Sequence, residues 1–520
     1  FGQINKIGTG KLTLSSVQPT TGSFGAISVS GGTLAYAGAG QAFVSTATAN
    51  SIFNVNNGGL LQLDNSVTNL SNRLGTAAGG TVNMQGGRLL IGGSAAGATT
   101  EGIATLSALN GGGRIELSAN AAQGMSLNVT TLTYANASLS ASTTLNSTRV
   151  TVPSTVGLIP GMLITGAGIN ANTTIASILD GTTIFLSANA TVTGVATLNA
   201  VQTNGSLVIA GLSELTGNGL ANLAITNAGF SAGQGVGANA SFTKAVRGDI
   251  LADASATGVG TGFLTIDSVT GNGRALDTTT ETRILANTLG GTFNARLTGA
   301  TTLTAPTTVN TLTTSGTASV VSGLASSVFG KFGPSGELLS LTLANAAGFL
   351  VKDGTTTFDM GTLVGPSTGS AYFHVLPGAT LAVNASLLPA ATGGFVLDNG
   401  GTMVLGERTG FFTGTVAINN GTLRLNSGLD NTLAISATAG PMGLPFVTLN
   451  GPGAVLDLGA KNQTVRGLAS SNPLPGMGGT VTGLTGAVFT TTDNSTFGGR
   501  LTGGLSFVRS GNTTTTLTSA

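Results

Sequence analysis

His374 is the only histidine in the 520-residue chain and is therefore the first candidate for acid-base catalysis. It lies in the apolar stretch SAYFHVLPG, and the nearest acidic residue in sequence is as far away as Asp359. A serine-type triad needs a serine, a histidine and an acid within hydrogen-bonding distance of one another. Because no acid accompanies His374 in sequence, we predict that it is not catalytic.

The acidic residues could serve a glycosidase only if two carboxyl groups lay within about 10 Å of each other. They occur singly, without Asp-Asp or Asp-x-Asp pairs, and calcium-binding repeats of the Gly-Gly-x-Gly-x-Asp type are absent. The scattered acids include Asp64, Asp180, Asp249, Asp267, Asp359, Asp398, Asp457 and Asp493. We therefore predict no catalytic, cofactor-binding or metal-binding residues, no cofactor and no enzymatic activity. A polysaccharide-active enzyme stays an alternative if carboxylates converge on one face of the fold.

The tripeptide Arg247, Gly248 and Asp249 could bind an integrin-type receptor if it lay on an exposed loop. A match of three residues arises by chance in many chains. We therefore predict that the tripeptide is a coincidence unless it lies on an exposed loop.

Composition excludes several classes of partner. Charged residues make up 7% of the chain and the net charge is +1, against roughly 25% charged residues in an ordinary globular protein. Such a chain has no long-range attraction for nucleic acid. A membrane helix needs about 20 consecutive apolar residues, and Gly, Ser, Thr or Asn interrupts every apolar run, so we predict no membrane span. The absence of cysteine excludes disulfides and fits an extracellular bacterial protein.

A glycine turn followed by alternating apolar residues recurs along the chain, and this pattern indicates the elements that would position any site. The turns begin at Gly31, Gly58, Gly86, Gly112, Gly378, Gly400 and Gly421. Repeats of roughly 20–50 residues indicate solenoids or propellers, and propeller blades are longer and richer in aromatic residues. The pattern predicts an all-β fold, a right-handed parallel β-helix (β-solenoid), with glycine and asparagine at corners that need a positive φ.

Changes in composition and in the regularity of the repeat divide the chain into four predicted segments. Residues 1–144 carry regular coils, and residues 145–198 contain short strand-like runs linked by Pro and Gly turns, which predicts a small lateral β-insertion domain. Residues 199–348 are a less regular part of the solenoid that holds much of the charge, and the coils resume over 349–520.

Three stretches resemble the strand repeats of autotransporter passenger domains, which belong to giant bacterial surface proteins. They are GQINKIGTGKLTLSS at Gly2, GTVAINNGTLRLNSG at Gly414 and GAVLDLGAKNQTVRGLAS at Gly453. In the first stretch, the residues that match the repeat are Lys6, Gly8, Gly10, Leu12 and Leu14. The lateral segment also resembles a small module of giant surface proteins and phage fibres. The resemblance implies a β-solenoid at the cell surface, with a structural or adhesive role.

Neither end of the sequence carries a polar or helical cap of the kind that closes natural solenoids. We therefore expect Phe1–Leu14 of one copy to pair with the Phe507–Leu517 region of another, covalently in a longer chain or non-covalently in a filament. The expected function is a structural segment of an extracellular bacterial filament or surface fibre, with cell-surface or polysaccharide ligands as further partners. A phage tail-fibre segment is the second alternative, and a trimeric, interwound assembly would favour it.

Overall fold

The computed structural model shows an all-β protein, as the sequence predicted, and no helix occurs among the residues that it describes. These residues are 4–16, 26–42, 51–75, 80–133, 136–153, 155, 158, 162–170, 173–201, 204–213, 221–230, 236–287, 289–322, 339–367, 369–389, 394–410, 412, 414–433, 444–512 and 514–518. Within them there is no helix long and apolar enough to cross a membrane.

The chain forms two compact units, one of residues 1–135 and 205–281 and one of residues 136–204 and 282–520. The units thus combine parts of the four predicted segments in a different way, and the four-segment division stays a prediction. Each unit has a continuous hydrophobic core of its own.

The first unit contains two sheets, and their strands alternate along the chain. Sheet 1 is parallel throughout, in the order β1 (Ile4–Lys6), β3 (Ala26–Val29), β5 (Ile52–Asn56), β7 (Gly80–Gln85), β9 (Thr99–Ala108), β11 (Met125–Thr133) and β19 (Ala221–Asn227). Sheet 2 follows the order β2 (Lys11–Leu14), β4 (Gly32–Tyr36), β6 (Gly59–Leu63), β8 (Arg88–Gly92), β10 (Gly111–Ser118), β18 (Gly205–Ala210), β20 (Arg247–Asp253), β21 (Gly262–Ile266) and β22 (Gly273–Ala275). It is parallel up to β20, and its last two pairs are antiparallel.

The second unit begins with an antiparallel sheet, sheet 3. Its order is β14 (Leu163–Gly166), β17 (Gly194–Val201), β12 (Asn136–Thr143), β13 (Arg149–Thr151), β16 (Thr183–Leu186) and β15 (Ile175–Asp180). The segment predicted as a lateral domain, 145–198, lies inside this sheet, which starts earlier and ends later because β12 and β17 form its longest pair.

The remaining strands of the second unit form parallel sheets. Sheet 4 has the order β23 (Arg283–Ile284), β24 (Asn294–Leu297), β26 (Thr307–Thr314), β28 (Ser340–Val351), β31 (Ser370–Val375), β34 (Gly394–Asp398), β36 (Thr415–Ile418), β38 (Phe446–Leu449) and β41 (Leu468–Ala469), with β30 (Thr362–Val364) and β33 (Ser386–Leu388) as a branch. Sheet 5 has the order β25 (Ala300–Leu303), β27 (Ala318–Ser322), β29 (Thr355–Asp359), β32 (Thr380–Val383), β35 (Thr402–Leu405), β37 (Gly421–Leu425), β39 (Ala454–Asp457), β42 (Thr480–Gly483) and β45 (Arg500–Gly503). Sheet 6 contains β40 (Gln463–Val465), β43 (Val488–Thr491) and β46 (Ser506–Arg509), and sheet 7 contains β44 (Ser495–Phe497) and β47 (Thr515–Leu517).

Side-chain alternation explains why these strands pack as they do. In β37, Leu423 and Leu425 are buried, whereas Thr422 and Arg424 point outward. Successive residues of a strand face opposite sides of the sheet, and the parallel register stacks each inward leucine on an apolar residue of the next strand. The repeated apolar-polar pattern therefore builds a core on one face of the sheet.

The predicted glycine corners are confirmed at most positions. A positive φ occurs at Gly58, Gly86, Gly378, Gly400 and Gly421. At the other two turns the adjacent glycine, Gly32 or Gly111, has the positive φ in place of Gly31 or Gly112.

Two glycines with a positive φ provide a matched pair for testing this reading. A Cβ at Gly378 (φ 82°) would meet open space, whereas one at Gly394 (φ 132°) would collide with the backbone carbonyl of Thr415 on the neighbouring strand. We expect Gly378→Ala to cost about 1 kcal/mol of unfolding free energy through backbone strain alone. Gly394→Ala should cost about 3 kcal/mol, because the collision adds to the strain. Urea denaturation of both variants measures the difference, and equal costs would contradict the assigned geometry.

Candidate functional site

His374 lies in β31 and is almost fully buried, with 1% of its surface exposed. Its Nδ1 atom is 2.8 Å from the Oδ1 atom of Asn399, a residue with a positive φ of 79°. The backbone N–H of Asn399 donates to Oδ1 of Asp398 at 2.7 Å. The fold thus brings an acid close to His374 that sequence distance did not suggest, but the burial of all three side chains leaves no access for a substrate.

A column of asparagines continues this polar layer along sheet 4. Asn450 donates through Nδ2 to Oδ1 of Asn419 at 2.8 Å, and the backbone N–H of Ser471 donates to Oδ1 of Asn450 at 3.0 Å. Asn419 donates to the backbone carbonyl of Asn204, whose Oδ1 atom accepts a bond from Ser370. Because Asn204 follows β17, the column joins sheet 4 to the end of sheet 3, which is a structural role.

The Arg247–Asp249 pair is buried inside the first unit. Arg247 donates from Nε and NH2 to the two carboxylate oxygens of Asp249, at 2.8 and 2.7 Å, and from NH1 to the backbone carbonyl of Ala228 at 2.8 Å. Both side chains are at most 3% exposed. A receptor cannot reach the tripeptide, so its presence in the sequence is a coincidence.

A second group of charges, most of them buried, surrounds the partly exposed Asn239 and was not predicted from the sequence. The Oδ1 atom of Asn239 accepts bonds from Nζ of Lys244 at 3.0 Å, from NH2 of Arg274 at 3.2 Å and from the backbone N–H of Ser268 at 3.0 Å. Its Nδ2 atom donates to Oδ2 of Asp267 at 2.7 Å. The amide of Asn239 is thus fixed in orientation, and its carbonyl is strongly polarised.

Glu281 completes this group. It accepts from NH2 and NH1 of Arg274 at 2.6 and 2.8 Å, and its Oε1 atom lies 4.0 Å from Nζ of Lys244. Burial opposes its ionisation, but the bonds from Arg274 and from the backbone of Asp277 bring its pKa below the ordinary value. Burial also lowers the pKa of Lys244. The stretches KAVRGD and DTTTETR contain Lys244, Asp277 and Glu281. Their high density of charged residues was the only sign of this group in the sequence.

Glu101, in β9, is a buried acid of a different kind. Its carboxylate accepts the backbone N–H groups of Arg73 and Leu74, each at 2.9 Å. Burial raises its pKa from 4.5 to about 7, against the effect of these bonds and of the Arg73 charge. The carboxylate therefore ionises with difficulty in the folded protein.

This raised pKa predicts a pH dependence of stability. The folded state binds the Glu101 proton more tightly than the unfolded state, so its contribution is present below pH 4.5 and is lost as the pH rises through about 7. Relative to Glu101→Gln, which cannot titrate, the natural chain should lose about 3 kcal/mol over this range. Denaturant unfolding at several pH values measures the loss. Glu116→Gln is the control, because the pKa of Glu116 is lowered, and a parallel pH response of natural chain and Glu101→Gln would refute the assignment.

The outer face of sheet 5 presents a column of threonines in register. Thr355, Thr380, Thr402 and Thr422 are direct neighbours on successive strands, and all are partly or fully exposed. Neighbouring strands lie about 4.8 Å apart, so the column repeats a hydroxyl and a methyl group at that interval. Such a surface can exchange hydrogen bonds with a polar polymer.

The edge strands at one end of the second unit carry apolar residues that continue the core. Leu501, Phe507 and Leu517 stack in register on the fully buried residues Val481, Phe489 and Phe497. Leu517 is nevertheless 42% exposed. In the described part of the chain, β45, β46 and β47 each pair with one strand only.

The edge strands of the first unit have the same character. Ile4 stacks on buried Ile27, and Leu12 and Leu14 stack on buried Leu34 and Tyr36. These partners are buried, as in an ordinary core layer, yet Leu12 is 41% exposed. Here too β1 and β2 each have one partner strand among the described residues. We call the two sets of three apolar residues, Ile4/Leu12/Leu14 and Leu501/Phe507/Leu517, the end layers.

Comparison with known proteins identifies no relative. No protein-family model matches the chain, and neither a curated protein nor a solved structure matches it. Within the described residues, no group of three or more His, Cys, Asp or Glu side chains could hold a metal ion. The end layers, the threonine column and the Lys244 group are therefore the features from which function must be argued.

Proposed function

We propose that the chain is a right-handed parallel β-helix that serves as a structural segment of an extracellular bacterial filament or surface fibre, without enzymatic activity. Long runs of parallel strands in register, with neighbours drawn from successive repeats of the sequence, support this architecture. The resemblance to autotransporter passenger repeats and the absence of cysteine support the location. The low charge also supports stacking, because like charges directly opposite one another on neighbouring strands repel.

The end layers are the single observation that carries this proposal. Each presents apolar side chains in the positions of a core layer, at strands that have a single partner strand among the described residues, and unpaired edges are templates for further pairing. The two layers also share a spacing, because Phe507 and Leu517 are separated along the chain as Ile4 and Leu14 are. In the proposed contact, β46 and β47 of one copy pair with β1 and β2 of the next. Residues 1–3 of the expected Phe1–Leu14 contact lie outside the described residues.

Sedimentation velocity over a range of concentrations tests the contact. We expect the mass of the natural chain to grow with concentration, and Phe507→Asp to weaken association at least about a hundredfold, because an unpaired carboxylate would be buried. Leu12→Asp should have the same effect at the other end. Val67→Asp is the control, since Val67 is 88% exposed and belongs to neither end layer.

Mixing the two variants distinguishes this end-to-end contact from nonspecific association. A Phe507→Asp chain keeps its first end layer and a Leu12→Asp chain keeps its second, so an equimolar mixture should form dimers and nothing larger. A natural chain that stays monomeric at all concentrations would overturn the proposal, and a discrete trimer would favour a phage tail fibre. The threonine column is the surface that we propose for polysaccharide ligands of the fibre, since its hydroxyl groups repeat at a regular interval.

A further inference from the structure

In the first unit, the fully buried side chain of Lys244 contacts the partly exposed Asn239 in an arrangement suited to covalent bonding. The Nζ atom of Lys244 is 3.0 Å from Oδ1 of Asn239, and the lysine side chain is fully buried. A buried ammonium ion loses its hydration, which is costly. The Nζ atom also donates to the backbone carbonyl of Gly237 at 3.3 Å, and Oε1 of Glu281 lies 4.0 Å away. Conversion of the amine into a neutral amide would remove that cost.

We propose that Lys244 and Asn239 form an intramolecular isopeptide bond, with release of ammonia and with Glu281 as the proton carrier. The reaction joins Nζ of Lys244 to Cγ of Asn239 and breaks the bond from Cγ to Nδ2. It is an exchange of one amide for another, so it needs no oxidant, reductant or added cofactor.

The first step is the removal of a proton from Lys244 by the carboxylate of Glu281. The lone pair of the neutral amine then attacks Cγ of Asn239, and the carbonyl electrons move to Oδ1. When the carbonyl reforms, Nδ2 departs. Two of the three protons of the Lys244 ammonium group end on the departing nitrogen, which leaves as ammonium, and Glu281 returns to its ionised form.

The surroundings of Asn239 fit the attack on Cγ. Negative charge develops on Oδ1, where Arg274 and the backbone N–H of Ser268 donate hydrogen bonds at 3.2 and 3.0 Å. Preorganised donors of this kind stabilise a developing oxyanion. Burial lowers the pKa of Lys244, which makes the amine a better nucleophile. Asp267 holds Nδ2 at 2.7 Å and so fixes the face of the amide that Lys244 meets.

Mass spectrometry of the purified, denatured full chain tests the bond. The expected mass is that of the sequence less one molecule of ammonia. A peptide that contains both residues should carry the loss, and trypsin should fail to cleave after Lys244 even in denaturant. The full sequence mass, with normal cleavage at Lys244, would overturn the proposal. A succinimide at Asn239 would also lose ammonia, but cleavage after Lys244 would then be normal, which likewise overturns it.

Variants separate the roles of the three residues. Lys244→Met and Glu281→Gln should both keep the full sequence mass, with circular dichroism as the check that they fold. Asn239→Asp should lose water in place of ammonia and give the same cross-linked product. Lys6→Met is the matched control: Lys6 is another buried lysine near carbonyl groups, but it donates to the backbone oxygens of Ile7, Gly8 and Gly31. The ammonia loss should persist in that variant. Should a variant fail to fold, the mass and the tryptic map of the natural chain decide the question.

Discussion

Asp249→Ala should lower the unfolding free energy of the first unit by about 3–5 kcal/mol, because it leaves the Arg247 guanidinium buried without its carboxylate partner. The pair is bidentate, with distances of 2.8 and 2.7 Å, and both side chains are almost completely inaccessible to water. Equilibrium denaturation in guanidinium chloride measures the loss.

Two further variants show whether burial is the cause. Arg424→Ala breaks an ion pair with Asp457, made through Nε at 2.9 Å, in which the arginine is 53% exposed, and it should cost no more than about 1 kcal/mol. Replacement of both Arg247 by Met and Asp249 by Leu should restore much of the stability, because no unpaired charge is left in the interior. A small effect of Asp249→Ala alone would mean that water reaches Arg247.

Phe395→Ala should cost about 3–5 kcal/mol of unfolding free energy in the second unit. Phe395 is fully buried, and its ring lies between those of Phe373 and Phe412, with centroids 6.0 and 6.2 Å away. The cavity left by the truncation is bounded by strands in a fixed register, so the neighbouring rings cannot close it. Thermal or chemical unfolding measures the loss.

Phe242→Ala is the control for the aromatic core, because the same truncation removes a side chain that is 37% exposed. We expect it to cost about 1 kcal/mol or less. A comparable loss in the two variants would contradict the role of the stacked phenylalanines. Phe395→Leu should recover most of the stability, since it refills much of the volume.

The parts of the fold that the sequence predicts well depend on local features, namely turn residues and side-chain alternation. Gly378, Gly400 and Gly421 have a positive φ because only glycine adopts it without strain, and this preference does not depend on distant residues. The alternation in GTLRL likewise fixes which residues of β37 face the core. The same rule places Arg247 and Asp249 on one face of β20, so their pairing could have been read from the sequence.

The boundaries of sheet 3 show where local signals end. The change in sequence pattern predicts a segment bounded by residues 145 and 198, but the sheet also includes β12 (Asn136–Thr143) and all of β17 (Gly194–Val201). These two strands look like any others in composition, and only their antiparallel pairing assigns them to this sheet. Strand partners are chosen by register and packing over long distances, which composition does not record.

By itself, the sequence determined the all-β class, the repeated turns and the apolar face of each strand, since these depend on backbone preference and two-residue periodicity. Only the tertiary structure decided which polar groups from different strands and turns meet. Asn239, Lys244 and Glu281 are brought together by turns between β19 and β23, and His374 meets Asn399 from the next strand of sheet 4. The end layers are likewise visible only in the fold, because Leu12 and Phe507 have the sequence surroundings of core residues. They differ from core residues in that their strands have one neighbouring strand, not two, in the part of the chain that the structure describes.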